Sequence, residues 1–228
     1  MSSQASYTAA SSQQLAAELR LTDLKVVFGG HSFIRRLKQN TTNYPLTISN
    51  PIFCCGGGWK LPKLTQALKN LPDTTFRDST IYLEIGTNDL CSPNCNPQDL
   101  AANICCLWRD VLVRGAVFVV IGEPLPRFGP ALAKLGDRTP SFADAVKILG
   151  RSLRSFTQSM TNVKVWEHHR IAPSLSISVA SFIVPDRFDK DGVHLSKCRQ
   201  RCDKCSCGMK RYLVSVRGAL LHAAAYAR

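Results

Sequence analysis

The chain has 228 residues, 45% of them hydrophobic and 20% charged, with ten cysteines and a formal net charge of +13. That length and apolar share suit one domain with a sizeable core and exclude a disordered polyelectrolyte. The longest plain apolar run, Ala116 to Ile121, is too short to cross a bilayer, and the basic balance either attracts nucleic acid or anionic lipid or only keeps the protein soluble.

Residues 1 to 20 are rich in Ser, Ala and Gln and read as a flexible arm. They carry no basic residue before Arg20 and no apolar h-region, so they do not read as a secretory signal. The expected location is intracellular, cytoplasmic or nuclear, where cysteines are mostly thiols. Residues 21 to 228 then show one rhythm, with no repeat and no linker. Short apolar runs predict strands at Leu24 to Phe28, Leu46 to Cys54, Thr80 to Ile85, Ala116 to Ile121 and Val163 to Trp166. Helical spacing falls between and after them, at 32–40, 60–70, 98–114, 141–160 and 208–225. Alternation of this kind predicts an α/β fold: a three-layer α/β/α sandwich on a mainly parallel five-stranded sheet. Ligands of such folds collect at the carboxyl ends of the strands.

Four segments at those ends carry chemistry. The first strand runs through Gly29, Gly30 and His31 into Ser32, at the start of a helix. The second runs into Gly56, Gly57 and Gly58, where backbone N–H groups can approach a ligand closely. The third runs into Gly86-Thr87-Asn88-Asp89, and late in the chain Asp191 precedes His194 by three residues. A serine hydroxyl needs a base within hydrogen-bond reach, which His194 can be, with Asp191 holding its imidazole. The Ser32 N–H, a glycine N–H and the Asn88 amide could serve as oxyanion donors.

In order and spacing these four blocks resemble the SGNH (GDSL-type) hydrolases over about residues 22 to 225. The resemblance implies a flavodoxin-like sandwich and a serine esterase without metal or organic cofactor. It implies Ser32 as nucleophile, His194 and Asp191 as the other triad members, and an oxyanion hole of Ser32, Gly58 and Asn88. Gly58 is favoured over Gly56 and Gly57 because it immediately precedes the helical segment. The substrate expected is a small ester, short-acyl or acetyl. Similar basic members without a secretion signal are esterase domains encoded by retrotransposons. The chain departs from the family at His31, where an Asp is usual, so an inactive scaffold that binds nucleic acid or protein is the alternative. A phosphate-loop reading of Gly29-Gly30 lacks either glycine-rich nucleotide motif.

Ordinary roles exist for the same residues. Ser32 could cap the helix, Asn88 and Asp89 could form an Asx turn, and His194 could be a loop histidine. His31 could be the base, although a neighbour on a tight turn cannot readily fold back onto Ser32. His168 and His169 read as exposed loop residues, the favoured reading, or as part of the pocket wall, and His222 as structural. Cys54, Cys55, Cys105 and Cys106 read as small buried hydrophobes, and Cys91 and Cys95 as pocket rim. Cys198, Cys202, Cys205 and Cys207 lie in a Cys-rich basic insertion at about 197–207. Four thiols within ten residues are crowded for one zinc, so no metal is expected. Residues 190 to 228 hold nine Lys or Arg against Asp191 and Asp203, a charge of +7 that serves either weak non-specific nucleic-acid binding or solubility.

Overall fold

The computed structural model of the chain describes residues 21–42, 45–127, 131, 133–136, 139–169, 171, 188–191, 193–196 and 207–226. The expected arm at 1 to 20, Cys198, Cys202 and Cys205 lie outside the described residues. In chain order the elements are β1 (Lys25–Gly30), α1 (Ser32–Asn40), β2 (Ile52–Cys55), α2 (Leu61–Lys69) and a short 3-10 turn at Asp73–Thr75. They continue with β3 (Ser79–Glu84), α3 (Pro97–Val113), β4 (Phe118–Gly122), α4 (Thr139–Thr157), β5 (Val163–Trp166) and α5 (Gly208–Tyr226).

The five strands pair in the order β2-β1-β3-β4-β5, every neighbouring pair parallel. Side chains alternate across the sheet, so each face gathers its own core. Val27, Ile81, Leu83, Val119 and Ile121 pack under α2, α3 and α4, while Val26, Phe28, Tyr82 and Val120 pack under α1 and α5. The result is the expected three-layer α/β/α sandwich. Burial on both faces is why the central strands read as continuous apolar runs. On α1, Phe33, Ile34 and Leu37 fall on one stripe and are buried, each contributing about 1.5–3 kcal/mol.

Two consequences place the site. The chain passes from β1 outward to β2, then back beyond β1 to β3, so the order reverses between β1 and β3. A crevice opens at the carboxyl ends there, flanked by the turns after β1 and β3. The turn after β1 is also tight: a Cβ on Gly30 would overlap the Glu84 carbonyl oxygen and lie 2.7 Å from Ile34 Cγ1. Only glycine admits this approach of β1, β3 and α1.

One predicted strand is corrected. Leu46 to Cys54 shortens to Ile52–Cys55, because Thr47 and Asn50 take φ of 60° and 51° and cannot continue an extended ladder. Among the described residues no helix is long and apolar enough to cross a membrane.

Candidate active site

Ser32 is the first residue of α1 and only 6% exposed. The cap of that helix is His31, not Ser32: its Nδ1 accepts the Phe33 N–H at 3.4 Å, and its own N–H donates to the Glu84 carbonyl at 3.2 Å. Ser32 is thereby released from the capping role that serines often take, and as a first-turn residue its N–H has no acceptor within the helix. Burial pushes the His31 pKa down to about 4; Glu84 pulls the other way, and the charges of Arg127 and His194 add to the depression. His31 is therefore neutral near pH 7, with Nδ1 engaged and Nε2 buried without a partner among the described residues. That arrangement opposes its use as a base.

The late blocks form a small hairpin. Phe188 and Leu195 make an isolated antiparallel bridge, and the Asp189 N–H donates to the His194 carbonyl at 2.6 Å. Within the turn, Asp191 Oδ1 accepts the Val193 and His194 N–H groups, each at 2.9 Å, and Oδ2 meets His194 Nδ1 at 2.5 Å. Partial burial pushes the Asp191 carboxyl up, but the His194 N–H, the His194 ring and the Val193 N–H outweigh it and hold the pKa at about 2. The carboxylate is thus ionised, and Nδ1 faces it, which leaves Nε2 for other work. The hairpin is tied to α1 by Arg36, whose Nη1 lies 2.6 Å from Asp189 Oδ2. Arg36 is four residues after Ser32, on the same side of the helix, so this tie brings the hairpin to the Ser32 face. His194 also lies close enough to His31 to depress its pKa.

The glycine turn and the Asn88 loop are joined to one another. Gly56 donates its N–H to the Gly30 carbonyl at 3.2 Å, extending the β1–β2 ladder and removing it as an oxyanion donor. Gly58 has φ of 70° and open space where a Cβ would stand. Asn88 Nδ2 donates to the Trp59 carbonyl at 3.0 Å, while its Oδ1 accepts from Arg127 Nη2 at 2.7 Å. Asp89 turns away from the crevice and caps α2, accepting the Leu61 N–H at 2.9 Å.

The structure thus brings Asp191 and His194 into contact and sets them on the α1 side of the crevice, with Gly58 and Asn88 linked through Trp59. Among the described contacts no hydrogen bond joins Ser32 Oγ to His194. A cavity of about 860 Å³ lies apart, between α2 and α3; it is lined by Leu61, Asp89, Cys95 and Cys106 among others and includes none of Ser32, Asn88 and His194.

Several expectations change. His168 is buried, not exposed: its Nε2 lies 3.2 Å from both Glu84 Oε2 and Tyr82 Oη, and its Nδ1 2.9 Å from Ser215 Oγ. Tyr212 Oη also donates to Glu84, at 3.1 Å. This buried polar network beneath His31 was announced by Glu84 alone, a lone carboxylate inside an apolar run. His169 is exposed as expected and pairs with Glu167 at 3.0 Å. Cys105 is buried, Cys54 and Cys55 are half-buried, and Cys106 is exposed because it falls on the outer side of α3. Burial chiefly, then Cys55, raises the Cys54 thiol to about 11, so it is not a ready nucleophile. Among the described residues no three His, Cys, Asp or Glu side chains converge as a metal-binding group.

The sequence matches no protein-family model. It matches no curated protein either. Solved structures do match over nearly the whole chain. A GDSL-like lipase from Bacteroides thetaiotaomicron VPI-5482 superposes with a TM-score of 0.64 at 13% identity, covering 88% of each chain. A lipase/acylhydrolase from Enterococcus faecalis gives 0.58 at 12% identity, over 87% of this chain and 95% of that one. The catalytic domain of Streptococcus pneumoniae peptidoglycan O-acetyltransferase A gives 0.52 at 15% identity, over 88% and 94%. The chain has the GDSL/SGNH hydrolase fold. Within that fold, the turns after β1, β2 and β3 and the hairpin before α5 are where this chain carries Ser32, Gly58, Asn88 and the Asp191–His194 pair.

Proposed function

We propose that the protein is a serine esterase of the SGNH type acting on a small ester, most simply a short-acyl or acetyl ester. The observation that carries this reading is the Asp191–His194 pair, held at 2.5 Å on a hairpin that Arg36 ties to the helix beginning at Ser32. Lipase, acylhydrolase and O-acetyltransferase among the proteins of this fold support ester chemistry. Ser32 Oγ attacks the carbonyl carbon while His194 Nε2 takes its proton, and Asp191 stabilises the imidazolium. The oxyanion faces the Ser32 N–H, the Gly58 N–H and the Asn88 amide. Collapse expels the alcohol, which takes the proton from His194. Water then attacks the acyl-serine by the same base and releases the acid. The Ser32–His194 hydrogen bond is the contact that substrate must complete; such bonds often tighten only in the bound complex.

A fluorophosphonate probe tests this directly. The wild-type chain should be labelled on Ser32, and Ser32→Ala and His194→Ala should abolish labelling while His31→Ala keeps much of it. Asn88→Ala should label about 10²–10³-fold more slowly, the usual effect of losing one oxyanion donor. A folded wild-type chain that never labels would favour the inactive scaffold. Labelling lost with His31 and kept without His194 would reassign the base.

A further inference from the structure

We propose that Arg127 is the positioning residue of the oxyanion site, fixing which end of the Asn88 amide faces the substrate. The inference rests on the esterase reading above. The two ends of an Asn amide have nearly the same shape, so two orientations related by a half-turn about the last bond differ only in their hydrogen bonds. Only one of them presents NH₂ to the crevice. In the structure the choice is made from both sides: Arg127 Nη2 donates to Oδ1 at 2.7 Å and the Trp59 carbonyl accepts from Nδ2 at 3.0 Å. The flipped amide would set NH₂ against a guanidinium and oxygen against a carbonyl, trading two hydrogen bonds for two repulsive contacts.

Nδ2 carries two hydrogens, and Trp59 takes one. The other is the donor left for an oxyanion. A guanidinium bound to Oδ1 also polarises the amide, making that remaining N–H a stronger donor. Arg127 is itself held: its guanidinium carbon lies 6.0 Å from the centre of the buried Phe142 ring.

The test is a double-mutant cycle read by the second-order rate of fluorophosphonate labelling, whose phosphoryl oxygen occupies the oxyanion site. Arg127→Met should slow labelling about tenfold, less than Asn88→Ala, with the melting temperature little changed. The double variant should label no more slowly than Asn88→Ala alone, because the arginine acts through that amide. If Arg127→Met does not fold, the cycle is run with Arg127→Lys, which keeps the charge and one donor; its smaller loss must likewise vanish in the Asn88→Ala background. Losses that multiply, or an Arg127→Met that labels at the wild-type rate, overturn the assignment and leave the esterase reading intact. A wild-type chain that does not label overturns both.

Discussion

His31 stands where the resemblance led us to expect an aspartate, and its chemistry differs at one point of practical weight. It is a buried ring that stays neutral because burial depresses its pKa from 6.5 to about 4. Above pH 6.5 the ring is neutral in both folded and unfolded chains. As pH falls towards 4 the unfolded chain takes up a proton that the folded one resists, so stability falls, by about 3 kcal/mol in all. Below 4 both states are protonated and the loss levels off. His31→Asn keeps a capping oxygen and removes the titration, so urea unfolding as a function of pH should show less acid destabilisation than wild type within this window. An identical pH dependence in the two proteins would mean that His31 does not titrate from a buried state. At this scale the proposed site was legible where motifs are local: Ser32, Asn88, Asp191 and His194 each sit in a short block, and of these the structure joins Asp191 to His194. Arg127 was not, since its partner lies 39 residues away and no motif joins them. The one signal was an arginine just past the carboxyl end of a strand.

Among the elements, the hairpin of residues 188 to 195 is paired, within the described residues, through Phe188 and Leu195, and it depends on ties to its surroundings. Phe188 and Leu195 anchor it in the core beside Phe33 and Ile34, and the Arg36–Asp189 pair fixes its approach to α1. The pair is partly exposed, at 21% and 34% for the two side chains, so its loss should change global stability by under about 1 kcal/mol. Its effect on the site should be larger. Arg36→Ala is expected to leave the melting temperature almost unmoved and to slow Ser32 labelling several-fold, with Asp189→Ala behaving alike. Equal losses of stability and labelling would make the pair a general brace instead. Element boundaries were legible wherever apolar period and backbone agreed, as at β5 and α1. They failed before β2, where Leu46 and Ile48 look strand-like but the positive φ of Thr47 and Asn50 bends the chain. Side-chain pattern carries no warning of such a turn when the residue is a threonine.

For the whole molecule, periodicity foretold a parallel sheet with two covered faces, but not the strand order. Strand neighbours are set by packing across distant segments, and only the resemblance implied them. The proposed insertion is bounded by a closed stem: the Gly208 N–H donates to Ser196 Oγ and the Met209 N–H to the Ser196 carbonyl, both at 2.9 Å. Replacing residues 197–206 with a short Gly-Ser linker should therefore keep the melting temperature within a few degrees. The replacement also removes Lys197, Arg199, Arg201 and Lys204 with Asp203, so any nucleic-acid affinity should drop and its salt dependence flatten. An unfolded product would show that the segment belongs to the core. The helix beyond that stem has a further meaning for how the protein is made. The strands β1, β3 and β4 are complete by residue 122, yet the face bearing Val26, Phe28, Tyr82 and Val120 gains Met209, Tyr212, Val216 and Leu220 only with α5. On the ribosome that face waits, greasy and half-roofed, while the intervening chain is synthesised. A nascent chain stalled before residue 208 is thus a natural client for chaperones.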